Sequence, residues 1–413
     1  MNRFQCKNFP VLFLFFLKVF SIFQQSFSFA EKGNAEPIGH LKPLGSHMPP
    51  ESSVDELQVL PTSEIFHKEY VKPGKPLIFK GAAKLMPAFK LWTDDYLSSQ
   101  FGDWDVEVEM GKKENRSGSA RHLPFKSFLD VYKNSDIYLV EDINDDNPMT
   151  EDLCVLKPLL CGGFMRGLQT VVIWFSGGGT SSVLHNDGVD NINCLFDGEK
   201  KLVMFDKKYN TEIEGTNFVK REGYSKLNVD KVDLLTYSEF QTLPWVEANM
   251  EKGDCMFIPY RWYHQVRSYG NRNIAVNVWF AHMLRFDADD CKQEEPLPDV
   301  RKLSEFEIES SNEALRVHII ERLGDKVDIT LEDLIETLRA EDIGAEEDAA
   351  EIFGLMDRNN DAILDKDELL TFDVDQLVAE FPDIFGNYED DNPDEESIED
   401  ENEDENDIAK DEL

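Results

Sequence analysis

The chain has 413 residues, of which 82 are Asp or Glu and 42 are Lys or Arg, giving a formal net charge of −40 and a pI near 4.5. That balance excludes a nucleic-acid binder driven by phosphate neutralisation, which needs a basic face. Hydrophobic residues make up 41%, with 29 Phe, 11 Tyr and 6 Trp, so a packed core is available. At ~150 residues per domain the length suits two or three domains.

Residues 1–30 combine a basic start (Arg3, Lys7), an apolar run over 11–17, and small residues Ser28 and Ala30. This is the anatomy of a secretory signal peptide cleaved after Ala30. Lys18 and then Gln24 and Gln25 interrupt the run well short of the ~20 apolar residues that span a bilayer, so no stable membrane insertion is expected after cleavage. Residues 31–55 are polar, rich in Pro and Gly, and read as a loose leader.

From residue 56 the texture changes to short apolar runs between turn-formers: PLIFKG (76–81), DVEVEM (105–110), DIYLVED (136–142), QTVVIWF (169–175), NINCLF (191–196), KLVMF (201–205), DCMFIP (254–259) and NIAVNVWF (273–280). Their length, their β-branched and aromatic content and their flanking Gly, Pro, Asp and Asn predict strands, hence one β-rich barrel or sandwich over 56–300. Asn115-Arg116-Ser117 is an N-glycosylation sequon in a polar stretch. Once Cys6 leaves with the signal peptide, five cysteines remain, an odd number that leaves at least one thiol without an internal partner. Cys194 and Cys255 sit in apolar runs and read as buried small hydrophobes, while Cys154 and Cys161 are close enough in sequence to close a small loop.

Chemistry enters at SSVLHNDGVDN. His185 and Asp187 are two apart, so in a strand both side chains face one side and can meet one metal ion. His67-Lys68-Glu69 has the same spacing and reads as surface. A second imidazole, His264, lies in FIPYRWYHQV, where an apolar strand emerges through a Pro and aromatic turn. Two imidazoles and one carboxylate form the facial triad used for non-haem Fe(II), which keeps coordination sites open. A structural zinc would want four closed ligands, commonly with Cys.

In these pieces, together with KPLIFKG, FKLWTDDYL and GEKKLVMF, the sequence resembles the JmjC oxygenases, and within them the cupin-like protein hydroxylases. The resemblance runs over about residues 57–281. It implies a mainly β fold, a double-stranded β-helix (jelly-roll or cupin barrel), using Fe(II), 2-oxoglutarate and O₂. His185, Asp187 and His264 would then be the metal ligands. Lys200 matches the lysine that pairs with the distal carboxylate of 2-oxoglutarate, and Lys201 points to the other face of its strand. Tyr138, Ser182, Asn191 and Asn277 match the hydroxyl and amide positions lining that pocket. Ser182 stands where several relatives have Thr, keeping the hydroxyl and losing the methyl. A dianionic keto-acid needs a cation in a partly dry pocket, where one lysine counts for more than in water.

Beyond about Ser304 the period turns helical, and residues 304–380 read as an EF-hand pair. DRNNDAILDKDE (357–368) places the calcium ligands of an EF-hand loop at Asp357, Asn359, Asp361, the Ile363 carbonyl, Asp365 and Glu368. Ala362 replaces the Gly usual at position 6, where the chain turns through positive φ, a weakening of about 1 kcal/mol. Residues 312–339 form a ligandless partner, with Arg322 and Gly324 where the first ligands belong and Ile329 at the apolar loop position.

The tail over 387–413 carries fifteen Asp or Glu between Glu389 and Glu412, a composition that does not fold. It ends in Lys410-Asp411-Glu412-Leu413, the signal by which the KDEL receptor retrieves proteins of the endoplasmic reticulum lumen. The two ends predict a lumenal protein, and two function classes follow. One is an Fe(II)- and 2-oxoglutarate-dependent hydroxylase of a secretory-pathway protein with an appended calcium module. The other is a non-catalytic calcium- or partner-binding protein that keeps an inactive barrel as scaffold.

Overall fold

The computed structural model describes residues 36–385 except 115–119, 221–222, 293–295, 309–310, 325, 327 and 341–347. The expected signal peptide, the sequon at Asn115 and the acidic tail ending in KDEL lie outside the described residues. The chain divides into two units. In the smaller one, residues 36–49, part of the stretch read as a loose leader, pair with residues 228–243. Leu41 N–H donates to the Val232 carbonyl at 2.8 Å, Val232 N–H returns to Lys42 at 3.0 Å, and buried His47 Nε2 meets the Leu243 carbonyl at 2.9 Å.

The larger unit is built on strands β1 (Ser52–Ser53), β2 (Asp55–Leu57), β3 (Leu77–Phe79), β4 (Asp105–Met110), β5 (Arg121–Pro124), β6 (Ile137–Asp142), β7 (Cys154–Leu156) and β8 (Leu168–Ser176). It continues with β9 (Leu184–His185), β10 (Asp190–Phe205), β11 (Phe218–Val219), β12 (Tyr224–Ser225), β13 (Val246–Glu251), β14 (Cys255–Ile258), β15 (Tyr263–Phe280) and β16 (Val300–Lys302). Among the described residues, fourteen of these form one mixed sheet whose main path runs β2-β3-β14-β10-β15-β8-β6-β4-β5. The fold is mainly β and of the jelly-roll type that the resemblance implies.

The long antiparallel pair β10 and β15 is the spine. The runs NINCLF and KLVMF are one strand, bent where the register with β15 shifts between Leu195 and Glu199. Gly198 makes the bend possible: its φ is +84°, and a Cβ there would stand 2.4 Å from Asn273 Nδ2. On one edge β10 pairs first with β14 and then with β13, so the bend wraps the sheet around an interior. Strand alternation sorts the side chains. Ile192, Cys194 and Phe196 join one core with Phe175, Phe257 and Phe280, while Leu195, Leu202 and Met204 join a second with Met250, Met256 and Ile258. The polar residues Asn191, Asn193 and Lys200 alternate onto the side of the second core.

Three expectations are corrected here. Cys194 and Cys255 face each other at one register position of β10 and β14, with Cα atoms 4.0 Å apart, and form a disulfide. Apolar flanks hid that pairing, because a cross-strand bridge is as buried as any hydrophobe. Cys161 is bonded to Cys291, 130 residues away, instead of Cys154, whose thiol remains free in the core. His67 is buried and not at the surface, its Nε2 2.8 Å from the Met283 carbonyl.

The helical part comprises α1 (Glu313–Leu323), α2 (Leu331–Ala340), α3 (Ala349–Met356), α4 (Lys366–Thr371) and α5 (Val374–Glu380). Leu315, Leu334, Ile352, Phe353, Met356 and Leu377 meet in its core. Ile329 and Leu364 form an antiparallel bridge, N–H to O in both directions at 3.1 and 2.8 Å, which ties the loop before α2 to the loop before α4.

Candidate functional site

The barrel interior opens into a cavity of about 130 Å³ lined by polar residues from β6, β8, β10 and β15 and by apolar ones including Leu202, Met250, Ile258 and Val266. His185 ends the short β9 and stands in register with His264, one residue into β15. Their rings lie 4.2 Å apart. Asp187 completes the group: its carboxylate oxygens are 3.9 Å from His185 Nε2 and 3.7 Å from His264 Nε2. The Nδ1 atoms are committed elsewhere, at 3.0 Å from the Val183 carbonyl and 2.9 Å from that of Trp262. With Nδ1–H donating, both Nε2 lone pairs are left facing the carboxylate, as metal ligation requires. Burial, then the neighbouring His185, lowers the His264 pKa to about 4, so its imidazole is neutral at ordinary pH. Among the described residues this is the one set of three His, Cys, Asp or Glu donors within 4.8 Å of one another. Two imidazoles and one carboxylate fit a divalent transition metal with open positions.

Lys200 lines the same cavity and is 7% exposed. Its Nζ has Ser268 Oγ at 3.4 Å, and burial lowers its pKa to about 8. The Nε1 atoms of Trp174 and Trp279, two more lining residues, are buried and make no hydrogen bond among the described residues. A buried ammonium and two orphaned donors around one cavity fit a small anionic ligand rich in acceptor oxygens. Lys201, one residue on, is exposed, with its Nζ 5.8 Å from the Tyr269 ring centroid.

The other expected pocket residues divide. Tyr138 lines the cavity, stacked on Trp174 with ring centroids 5.8 Å apart. Ser182 lines it too, but its hydroxyl accepts from Val266 N–H at 2.8 Å and donates to the Val183 carbonyl at 2.9 Å, so it also fixes the cavity wall. Asn277 lines it and accepts a hydrogen bond from Asn193. Asn191 is buried but lies outside the lining, one step along the same face of β10, and Asn193 occupies the wall instead. The clue was in NINCLF: the two asparagines share a face, and only the register of Asn193 with Asn277 distinguishes them. Glu114, whose carboxylate accepts from Val183 N–H at 2.9 Å, and Ser268 are further lining residues that the sequence reading passed over.

In the loop 357–368, Asp357 and Glu368 are buried. The Asp357 carboxylate accepts the N–H groups of Asp361 and Ala362 at 3.2 and 2.9 Å, and that of Glu368 accepts those of Asn359 and Asp365 at 3.2 and 3.1 Å. Asp365 caps α4 by accepting from Glu368 N–H at 2.9 Å, Asp361 accepts from Ile363 N–H at 2.9 Å, and Asn359 Oδ1 accepts from Asp361 N–H at 2.8 Å. Ala362 adopts φ +64°. No three carboxylates of this loop approach within 4.8 Å of one another.

A jelly-roll barrel holding a His-Asp-His metal-type site beside a buried cation is the class that fold and site define. The cupin-like domain model matches residues 62–286, more than half of the chain, and the protein belongs to that family, which includes the JmjC oxygenases of the Fe(II) and 2-oxoglutarate type. The chain is similar to Lysine-specific demethylase JMJ30 of Arabidopsis thaliana, 27% identical over 229 residues covering 53% of each chain. It is similar to Lysine-specific demethylase 8 of Danio rerio at 26% over 231 residues, 54% of this chain and 57% of the relative. A third relative is the human Bifunctional peptidase and (3S)-lysyl hydroxylase JMJD7, 23% identical over 266 residues, 55% of this chain and 84% of the relative. The chain spans about half the length of the demethylases it matches.

Proposed function

We propose that the protein is a dioxygenase of the endoplasmic reticulum lumen that uses Fe(II) and 2-oxoglutarate to hydroxylate a side chain of a secretory-pathway protein. One observation carries this reading: Lys200, a cation with no carboxylate partner among the described residues, is buried in the cavity that the triad lines. A scaffold has no use for an unneutralised charge held out of water, since burying one costs several kcal/mol.

His185, Asp187 and His264 would hold the iron, and Lys200 the distal carboxylate of 2-oxoglutarate. With O₂, these groups supply the oxidative decarboxylation of the keto-acid to succinate and CO₂, coupled to insertion of one oxygen atom into a C–H bond of the target. The chain's own contribution is placement. Val183 and Trp262 fix the imidazole tautomers, Trp174, Trp279 and Asn277 would offer polar contacts to the keto-acid, and Leu202, Ile258 and Val266 give the cavity an apolar stretch of wall. The lumenal location rests on the signal-type start and the terminal Lys410-Asp411-Glu412-Leu413, which would engage the KDEL receptor. That compartment favours hydroxylation over demethylation of histone lysines, the other chemistry of the resemblance. The test is succinate release from 2-oxoglutarate, present in the wild type and lost in His185→Ala. Equal turnover in both would end the enzyme reading in favour of the scaffold.

The helical module is proposed to bind Ca²⁺ through Asp357, Asn359, Asp361, the Ile363 carbonyl, Asp365 and Glu368. What supports it is the left-handed turn at Ala362 and the bridge from Leu364 to Ile329, the backbone frame of a paired EF-hand loop. Calcium should raise the melting temperature of the wild type, and Glu368→Gln should remove most of that rise; an unchanged rise would refute the assignment.

A further inference from the structure

The turn 259–262, between β14 and β15, touches both ends of the metal group. It is closed by Trp262 N–H to the Pro259 carbonyl at 3.0 Å. From it, Arg261 N–H donates to the backbone carbonyl of Asp187 at 2.9 Å, and the Trp262 carbonyl accepts from His264 Nδ1 at 2.9 Å. Tyr260 N–H adds an anchor at 2.7 Å on Asp190, a carboxylate of 0% exposure that also holds His282 at 2.9 Å. Two of the three candidate iron ligands are therefore oriented by one four-residue turn.

At the third position of that turn stands Arg261, with φ +59°. Glycine or asparagine is the usual choice at such a position, because a Cβ in the left-handed region costs roughly 1–2 kcal/mol. A long cation in a strained position marks a side chain with compensating contacts. Two are present. The guanidinium lies over the Tyr260 ring, 5.2 Å from its centroid, and Arg261 Nη2 is 3.0 Å from Glu321 Oε2 in the last turn of α1. The turn that orients Asp187 and His264 is thus tied by an ion pair to the first helix of the helical module. The module is also fastened to the barrel at the start of α1, where the Ser311 carbonyl accepts from Gln169 at 2.6 Å.

We propose that Arg261 is a positioning residue for Asp187 and that Glu321 sets its position, so that the packing of the helical module tunes the metal affinity of the barrel. The inference rests on the reading of His185, Asp187 and His264 as metal ligands. Arg261 lies outside the cavity lining; it acts by holding the carbonyl of Asp187 through the turn.

The test is titration of the full chain with Mn(II) alone, followed by the electron paramagnetic resonance signal of the free ion. Wild type, Arg261→Gln, Glu321→Gln and the exchanged pair Arg261→Glu with Glu321→Arg are compared, with His185→Ala as reference for binding outside the triad. Each single variant should weaken the His185-dependent binding about two- to fivefold, the range of a partly exposed ion pair, with the melting temperature little changed. The exchanged pair should recover most of the loss, which a merely structural effect of either side chain would not produce. His185-dependent binding that is indifferent to both single variants, or an exchanged pair as weak as they are, overturns the inference and leaves the metal reading intact. Absence of any His185-dependent binding in the wild type overturns both.

Discussion

Lys200→Met removes the ammonium while keeping the length and volume of the side chain. In the folded protein burial holds this amine at about 8, against an ordinary lysine value of 10.5. At ~1.4 kcal/mol per pH unit, the protonated form is disfavoured by about 3 kcal/mol relative to the unfolded chain. The sign follows from proton counting. Below about pH 8 both states carry the charge and the full penalty is present. Between about 8 and 10.5 the unfolded chain binds more protons than the folded one, so stability rises with pH across that window. Denaturant unfolding of the ligand-free protein at pH 7 should therefore find Lys200→Met more stable by up to about 3 kcal/mol, an advantage that shrinks toward pH 10. Calorimetric titration with 2-oxoglutarate should show the reverse. Loss of a charge-assisted contact of ~2–3 kcal/mol weakens binding about thirty- to 150-fold. A stabilising substitution that weakens binding this much is the mark of a cation kept for its ligand. A variant less stable at pH 7, or one binding 2-oxoglutarate within threefold of wild type, would refute the reasoning.

Asp254 is a structural counterpart: its carboxylate accepts from Lys80 Nζ at 2.7 Å, Gly81 N–H at 3.0 Å and Glu251 N–H at 3.0 Å. Asp254→Ala strands all three donors and should destabilise by about 3 kcal/mol in denaturant unfolding. Cys154 is 5% exposed with its thiol pushed up to about 11, so alkylation mapped by mass spectrometry should label it only on unfolding; rapid labelling of the native protein would contradict its placement. Ala362→Gly relieves a left-handed alanine at φ +64°, and both the stability of the helical module and its calcium affinity should rise, by about 1 kcal/mol in the former.

Much of the barrel was legible because its strands carry local signals. The runs DVEVEM and DIYLVED fall on β4 and β6 almost residue for residue, since β-branched and aromatic residues bounded by turn-formers leave little alternative. All three residues of the candidate triad were named from the sequence, His185 and Asp187 by their spacing and His264 by its place at the end of an apolar strand; what stayed unseen was the β9–β15 register through which His264 meets them, which no spacing encodes. Pairings that depend on register or on long closure stayed hidden. Asn193 and Asn191 look alike until Asn277 is placed opposite one of them, and Cys161 finds Cys291 across 130 residues. The order of residues 36–49 was likewise invisible, because its partners at 228–243 arrive from the far side of the barrel sequence.

The most direct test of the central claim is an anaerobic titration of the protein with Fe(II) in the presence of 2-oxoglutarate, followed by the visible charge-transfer absorption of the chelated keto-acid. The account predicts one equivalent of each per chain, with the band absent in His185→Ala and weakened in Lys200→Met. No band in the wild type, or one that survives His185→Ala unchanged, would contradict it.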